Sequence, residues 1–177
     1  EVLITLNVVC KHHVYNFIKQ INRMPYNLSI VLVAPEIPTN TGAIGRICLA
    51  TNSILHLVDP LGFEINDSRV KRAGLDYWKH LQIVRHKNIE SFFESLPPKA
   101  PTVFFSTKAK SSVFDQRFQS GSYLIFGSET KGLGKELLSK FSACAFRIPQ
   151  YDDRVRSLNL ANAASIAIYE AIRQLGP

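Results

Sequence analysis

The feature that most constrains this chain is a steady alternation, from residue 28 onward, of short apolar runs with segments of helical period. Leu28-Ser-Ile-Val-Leu-Val-Ala34 is rich in β-branched and aliphatic residues and ends at Pro35, the pattern of a buried strand. Residues 39–52 carry helical periodicity, with Asn40 or Thr41 placed to cap its start. Ile54-Leu-His-Leu-Val58 reads as a second strand, stopped by Asp59-Pro60. A short basic helix is expected over 67–74, a brief strand over 81–84, and a helix over 89–96 ended by Pro97-Pro98. Thr102-Val-Phe-Phe-Ser106 and Ser122-Tyr-Leu-Ile-Phe126 are further strands, the second running into Gly127 and a glycine-rich loop. A short helix over 134–141, a last strand over 143–148 and a long alanine-rich helix over 158–175 complete the series. This rhythm predicts an α/β fold, a mainly parallel sheet with helices on both faces. A length of 177 residues suits one compact domain, and no repeat or linker divides residues 28–177. Residues 1–27 stand outside the rhythm. Met24, the sole methionine, directly precedes the first strand, so residues 1–23 are expected to be an extension that the working domain does without.

Several function classes are disfavoured. No apolar run approaches the roughly 20 residues that span a bilayer. The apolar first ten residues follow no basic stretch and lead to no small-residue cleavage site, so a signal peptide is not expected. Cys10, Cys48 and Cys144 lie far apart with no CxxC or Cys/His cluster. Neither a metal site nor a disulfide framework is expected, and a reducing, cytoplasmic setting fits best. The formal net charge of +7 allows two readings, an anionic partner such as nucleic acid or a merely basic solvated surface.

Three segments carry the chemistry. The first is Pro35-Glu-Ile-Pro-Thr-Asn-Thr-Gly-Ala-Ile-Gly-Arg46, the second Leu124-Ile-Phe-Gly-Ser-Glu-Thr-Lys-Gly-Leu133. The third is Ile148-Pro149 followed by Ser157-Leu-Asn-Leu-Ala-Asn-Ala163. Gly127, Gly132 and Gly134 follow a strand end, where open α/β sheets bind ligands, and glycine permits close backbone approach. The loop is not a P-loop, because no Gly-Lys-Ser/Thr follows Gly127, and it lacks the G-x-G-x-x-G spacing of dinucleotide sites. A ligand of another kind is needed. Ser157 and Asn159 are placed both to cap the last helix and to touch such a ligand, and the two roles are compatible.

Together and in this order, the three segments resemble the sequence motifs of the SpoU branch of the SPOUT methyltransferases. Ala73-Gly-Leu-Asp-Tyr77 resembles a feature of the subgroup that methylates the ribose of the tRNA wobble nucleotide, position 34. The resemblance runs from about residue 28 to residue 176. It implies a C-terminal trefoil knot that holds S-adenosylmethionine, with Phe105, Gly127, Ile148, Ser157, Leu158 and Asn159 lining the slot. It also implies a homodimer paired through the knotted region, with the apolar face of the last helix covered by the second copy. A lone arginine on a helix is ordinarily a solvated charge, but the Asn40-Thr-Gly-x-x-x-Arg46 setting marks Arg46 as the catalytic residue. A guanidinium stays protonated, so its expected role is to grip a phosphate and stabilise the developing alkoxide, not to act as a base. Glu129 is expected to order the glycine loop. The expected partner is the tRNA anticodon loop, met by Asn40 and by the basic cluster Arg69, Lys71 and Arg72, which alternatively forms a solvated face. Trp78 is expected in the core. Ribosomal RNA as substrate, and a non-catalytic RNA-binding protein of the same fold, stand as alternatives. The charged run Asp152-Asp-Arg-Val-Arg156 departs from the family pattern and bears on RNA contact or loop closure.

Overall fold

A computed structural model describes residues 26–64 and 77–176. The extension over 1–23 and the basic segment over 67–74, with Arg69, Lys71 and Arg72, therefore lie outside the described residues. The strands are β1 (Ser29–Val33), β2 (Ile54–Val58), β3 (Ile83–His86), β4 (Thr102–Phe105), β5 (Ser111–Ser112), β6 (Tyr123–Phe126) and β7 (Ala145–Arg147). The helices are α1 (Pro38–Ala50), α2 (Ile89–Glu94), α3 (Lys135–Lys140) and α4 (Leu160–Leu175). The strands form one seven-stranded sheet in the order β3-β2-β1-β6-β4-β7-β5, and each neighbouring pair is parallel.

Alternation along the strands divides the core into two layers. Ile30, Leu32, Leu55, Leu57, Leu124 and Phe126 face one side and meet Ile44 and Cys48 of α1 and Ala164, Ala167 and Ile168 of α4. Val31, Val58, Phe104 and Ile125 face the other side, against Phe92 and Phe93 of α2 and Leu137 and Leu138 of α3. A sheet covered on both faces needs strands that are apolar throughout, which is why β1 reads as a continuous run and not as an alternating one. The expected α/β architecture is thus observed. Burial also pushes the Cys48 thiol well above its usual range.

Helix α4 buries Ala164, Ala167, Ile168 and Ala171, a spacing that makes one face of a helix. That face is covered by the chain's own sheet and α1, which leaves Ile166 and Tyr169 exposed among its larger apolar side chains. Trp78 is half-buried against the core, packed so closely on Gly45 that a Cβ there would stand 2.9 Å from its ring.

The start of α1 differs from the sequence expectation. Its N-cap is Ile37, with Pro38 in the first turn, and not Asn40 or Thr41. Proline suits that position because its missing N–H is one the helix cannot pair internally. Ile37 supplies no side-chain cap, so the helix takes its acceptor from elsewhere.

Candidate active site

That acceptor is Glu129. Its carboxylate accepts the backbone N–H of Glu36 at 2.8 Å and of Ile37 at 3.2 Å, and the Asn40 side-chain amide at 2.9 Å. Asn40 in turn accepts from Asn159 Nδ2 at 2.9 Å. Asn159 is also the N-cap of α4, its Oδ1 accepting from the N–H of Ala161 and Asn162. One chain of hydrogen bonds, Glu129–Asn40–Asn159, therefore joins all three motif segments. Thr130 adds a second link, its hydroxyl donating to Glu36 at 2.7 Å. A carboxylate at a helix N-terminus is favoured by the partial positive charge there, so this contact is electrostatic as well as geometric.

The loop that carries Glu129 owes its shape to glycines. It closes on itself through a bridge between Ser128 and Gly132, with Gly132 at φ +64° and Gly134 at φ +77°. Gly127 is needed for a different reason: a Cβ there would lie 2.0 Å from the carbonyl carbon of Gly132. The backbone of 132–133 rests directly on it.

Beyond these contacts opens a cavity of about 640 Å³, within the range of small-molecule sites. It sits past the C-terminal ends of β4, β6 and β7, where parallel sheets bind ligands. All six residues expected from sequence to hold the cofactor, Phe105, Gly127, Ile148, Ser157, Leu158 and Asn159, line it, and so does Asn40. Phe105 and Phe126 stack with ring centroids 4.6 Å apart at its floor. The lining pairs such apolar walls with Ser106, Thr107 and Ser128, so a flat apolar group with polar edges fits it. Of the paired roles expected for Ser157 and Asn159, only Asn159 caps α4.

Arg46 is elsewhere. It is exposed, it does not line the cavity, and its guanidinium lies 5.0 Å from the ring centre of Tyr77. Six residues beyond Asn40 on the same helix is a turn of about 240° further round, which explains the separation. Tyr77 is itself held, its hydroxyl donating to the Gly42 carbonyl at 3.1 Å. Among the described residues, the departing run 152–156 makes a local turn: Arg154 donates to Asp152 through its side chain, at 2.9 Å from Nε, and through its backbone N–H. Those bonds hold the Asp152 carboxyl below its usual range. Arg156 is left at the cavity.

Sequence reasoning missed one polar cluster. His56 of β2 and His86 of β3 are buried and stacked, with Nδ1 of the first 3.0 Å from Nε2 of the second. Phe92 and Tyr123 enclose His56. Burial, and secondarily the neighbouring His86, pull the His56 pKa down to about 4, and burial lowers His86 too.

An open parallel α/β sheet with a glycine-loop cavity at its C-terminal edge and three motif segments bonded together defines a class of α/β protein with a small-molecule site at the strand ends. The chain belongs to the SpoU rRNA Methylase family, whose model matches residues 27–169. It is 43% identical over 150 residues to the tRNA (cytidine(34)-2'-O)-methyltransferase of Burkholderia cenocepacia, covering 84% of this chain and 96% of that one. A solved structure concerned with the 2-OH methylation of C/U34 on tRNA superposes with a TM-score of 0.82 at 44% identity, over 85% of this chain and 97% of the other. An AdoMet-bound rRNA methyltransferase from Sinorhizobium meliloti superposes with a TM-score of 0.76 at 27% identity, over 85% of this chain and 57% of its own length.

Proposed function

We propose that this chain is a tRNA ribose methyltransferase that moves the methyl group of S-adenosylmethionine to the 2′-oxygen of the wobble nucleotide. The observation that carries the reading is the convergence of Phe105, Gly127, Ile148, Ser157, Leu158 and Asn159 on one cavity, in a chain 43% identical to a cytidine-34 enzyme. When bound, S-adenosylmethionine supplies an electrophilic methyl on a sulfonium. The chain's own residues do the rest. Phe105, Ile148 and Leu158 form an apolar slot that excludes water, and backbone groups around Gly127 offer polar partners to a heterocycle edge. The Glu129–Asn40–Asn159 bonds hold that slot in register with α1. The Glu129 carboxylate already accepts from three donors, the N–H groups of Glu36 and Ile37 and the Asn40 amide, so its role is positioning. Arg46 binds a substrate phosphate and stabilises negative charge developing on the 2′-oxygen as the hydroxyl proton passes to water and the methyl transfers, leaving S-adenosylhomocysteine.

The remaining parts of the reading follow the family resemblance. The methyltransferase domain comprises residues 28–177, with 1–27 as an extension, and its C-terminal region forms a trefoil knot. Asn40, Arg69, Lys71 and Arg72 contact the anticodon loop. The enzyme works as a homodimer in the cytoplasm without a metal. Exposed Ile166 and Tyr169 on α4 support the pairing, as does the position of Arg46 outside its own chain's cavity. No helix among the described residues is long and apolar enough to cross a membrane.

The test is to incubate the purified protein and S-adenosylmethionine with unmodified tRNA transcripts and map the product by nuclease digestion and mass spectrometry. A 2′-O-methyl at position 34 is expected. A methyl on a base, on another ribose, or on ribosomal RNA alone overturns the assignment.

A further inference from the structure

The cavity mouth has a charge that the cofactor does not explain. Lys108 follows β4, Lys131 lies in the glycine loop, Lys135 opens α3 and Arg156 precedes Ser157. These segments are distant in sequence, yet all four residues line the same cavity, and all four are exposed. Among the described residues none of them forms an ion pair, whereas Arg85, Arg154 and Arg173 are each bonded to a carboxylate. The single carboxylate in the lining, Glu129, is already engaged by three donors. Four cations held near one another repel, so an anion with several charges is what stabilises them; one carboxylate of an amino-acid-like ligand satisfies one or two. Tyr151, next in sequence to Gln150 of the cavity lining, is 97% exposed, at the head of the turn that Asp152 and Arg154 close. Gln150, next to it, donates to the Val155 carbonyl at 3.2 Å, which fixes the base of that turn.

We infer that Lys108, Lys131, Lys135 and Arg156 form the track on which the RNA backbone crosses the cavity mouth, with Tyr151 as a stacking platform for an unpaired base beside the reacting ribose. The inference rests on the ribose methyltransferase reading and adds RNA-contacting residues to those proposed from sequence over 67–74. Phosphates need point charges spaced along a path, and single-stranded bases need an exposed aromatic face; the four cations line the cavity, and Tyr151 follows Gln150 of its lining. The turn over 150–155 internally neutralises Asp152 with Arg154, so the departing charged run leaves Arg156 at the cavity and Tyr151 exposed on the turn between Gln150 and Arg156 of the lining.

The experiment measures binding of an anticodon stem-loop RNA by fluorescence anisotropy across a salt series, and binding of S-adenosylmethionine by calorimetry, on the same preparations. Each of Lys108→Ala, Lys131→Ala, Lys135→Ala and Arg156→Ala is expected to lower the slope of log affinity against log salt by about 0.7–0.9, and the fourfold variant by roughly 3. Tyr151→Ala is expected to weaken binding roughly 5- to 100-fold, with Tyr151→Phe restoring it, since the ring and not the hydroxyl stacks. Melting temperatures and cofactor affinity are expected to hold. An unchanged slope in the fourfold variant, with RNA bound normally by the unmutated chain, overturns the track while leaving the ribose methyltransferase reading in place. Loss of cofactor affinity with RNA binding intact overturns it too, and assigns the cations to the cofactor's carboxylate. Failure of the unmutated chain to bind RNA overturns both.

Discussion

Arg46 and Glu129 meet at α1, one as a residue of its exposed side with the guanidinium over the Tyr77 ring and one with a carboxylate bonded to its first turn. Single substitutions separate chemistry from positioning. Arg46→Ala is expected to lower turnover roughly 100-fold or more, the loss of one preorganised charge contact, while cofactor affinity stays as it was. Calorimetry and a labelled-methyl transfer assay on one sample check it; near-normal turnover removes Arg46 from the mechanism. Glu129→Ala strips α1 of its cap and leaves Asn40 without its acceptor. It is expected to cost about 1–2 kcal/mol in urea unfolding, with Glu129→Gln losing less because one oxygen acceptor remains. An unaltered unfolding midpoint in Glu129→Ala argues against the cap.

Among the elements, the glycine loop is the least forgiving. Gly127→Ala places a methyl 2.0 Å from the Gly132 backbone, which no side-chain rotation relieves. The loop must move, so loss of cofactor binding and a fall of several degrees in melting temperature are expected; a variant that binds normally disproves the close approach. This loop was legible in sequence because its glycines cluster after a strand. Strand β2 was read to the residue, since Asn52-Ser53 and Asp59-Pro60 punctuate both ends of it. The start of α1 was not, because local rules look for a cap within a few positions and its acceptor is 93 residues away. Strand β5 has two serines and no pattern, and β3 begins two residues later than its apolar run suggests. The six cavity residues were reached by family motifs, not by periodicity. The His56–His86 pair escaped for want of any local signal: the partners are 30 residues apart and meet only because β2 and β3 are neighbours.

That pair sets how the whole molecule answers to pH. Both imidazoles are neutral when folded, with His56 near 4 and the unfolded value near 6.5. Between those limits the unfolded chain binds more protons, so the contribution is fully present above about pH 6.5 and is lost as pH falls toward 4. From His56 alone, about 2 kcal/mol is expected to disappear between pH 7.5 and pH 5. Urea unfolding at both values checks it, with His56→Asn expected to flatten the difference; equal pH sensitivity in that variant refutes it. The molecule is also expected to scatter light as a dimer at micromolar concentration, and a monomer there counts against pairing through α4. The link between Glu129 and the start of α1 has a consequence for how the chain is made. A ribosome releases α1 long before it has translated its acceptor, so the helix that bears Arg46 leaves the exit tunnel with its first turn unsatisfied and waits for the second motif to arrive. Arg46 is therefore set in place only after the glycine loop exists, and a nascent chain halted short of residue 129 is expected to hold an α1 that frays at its beginning.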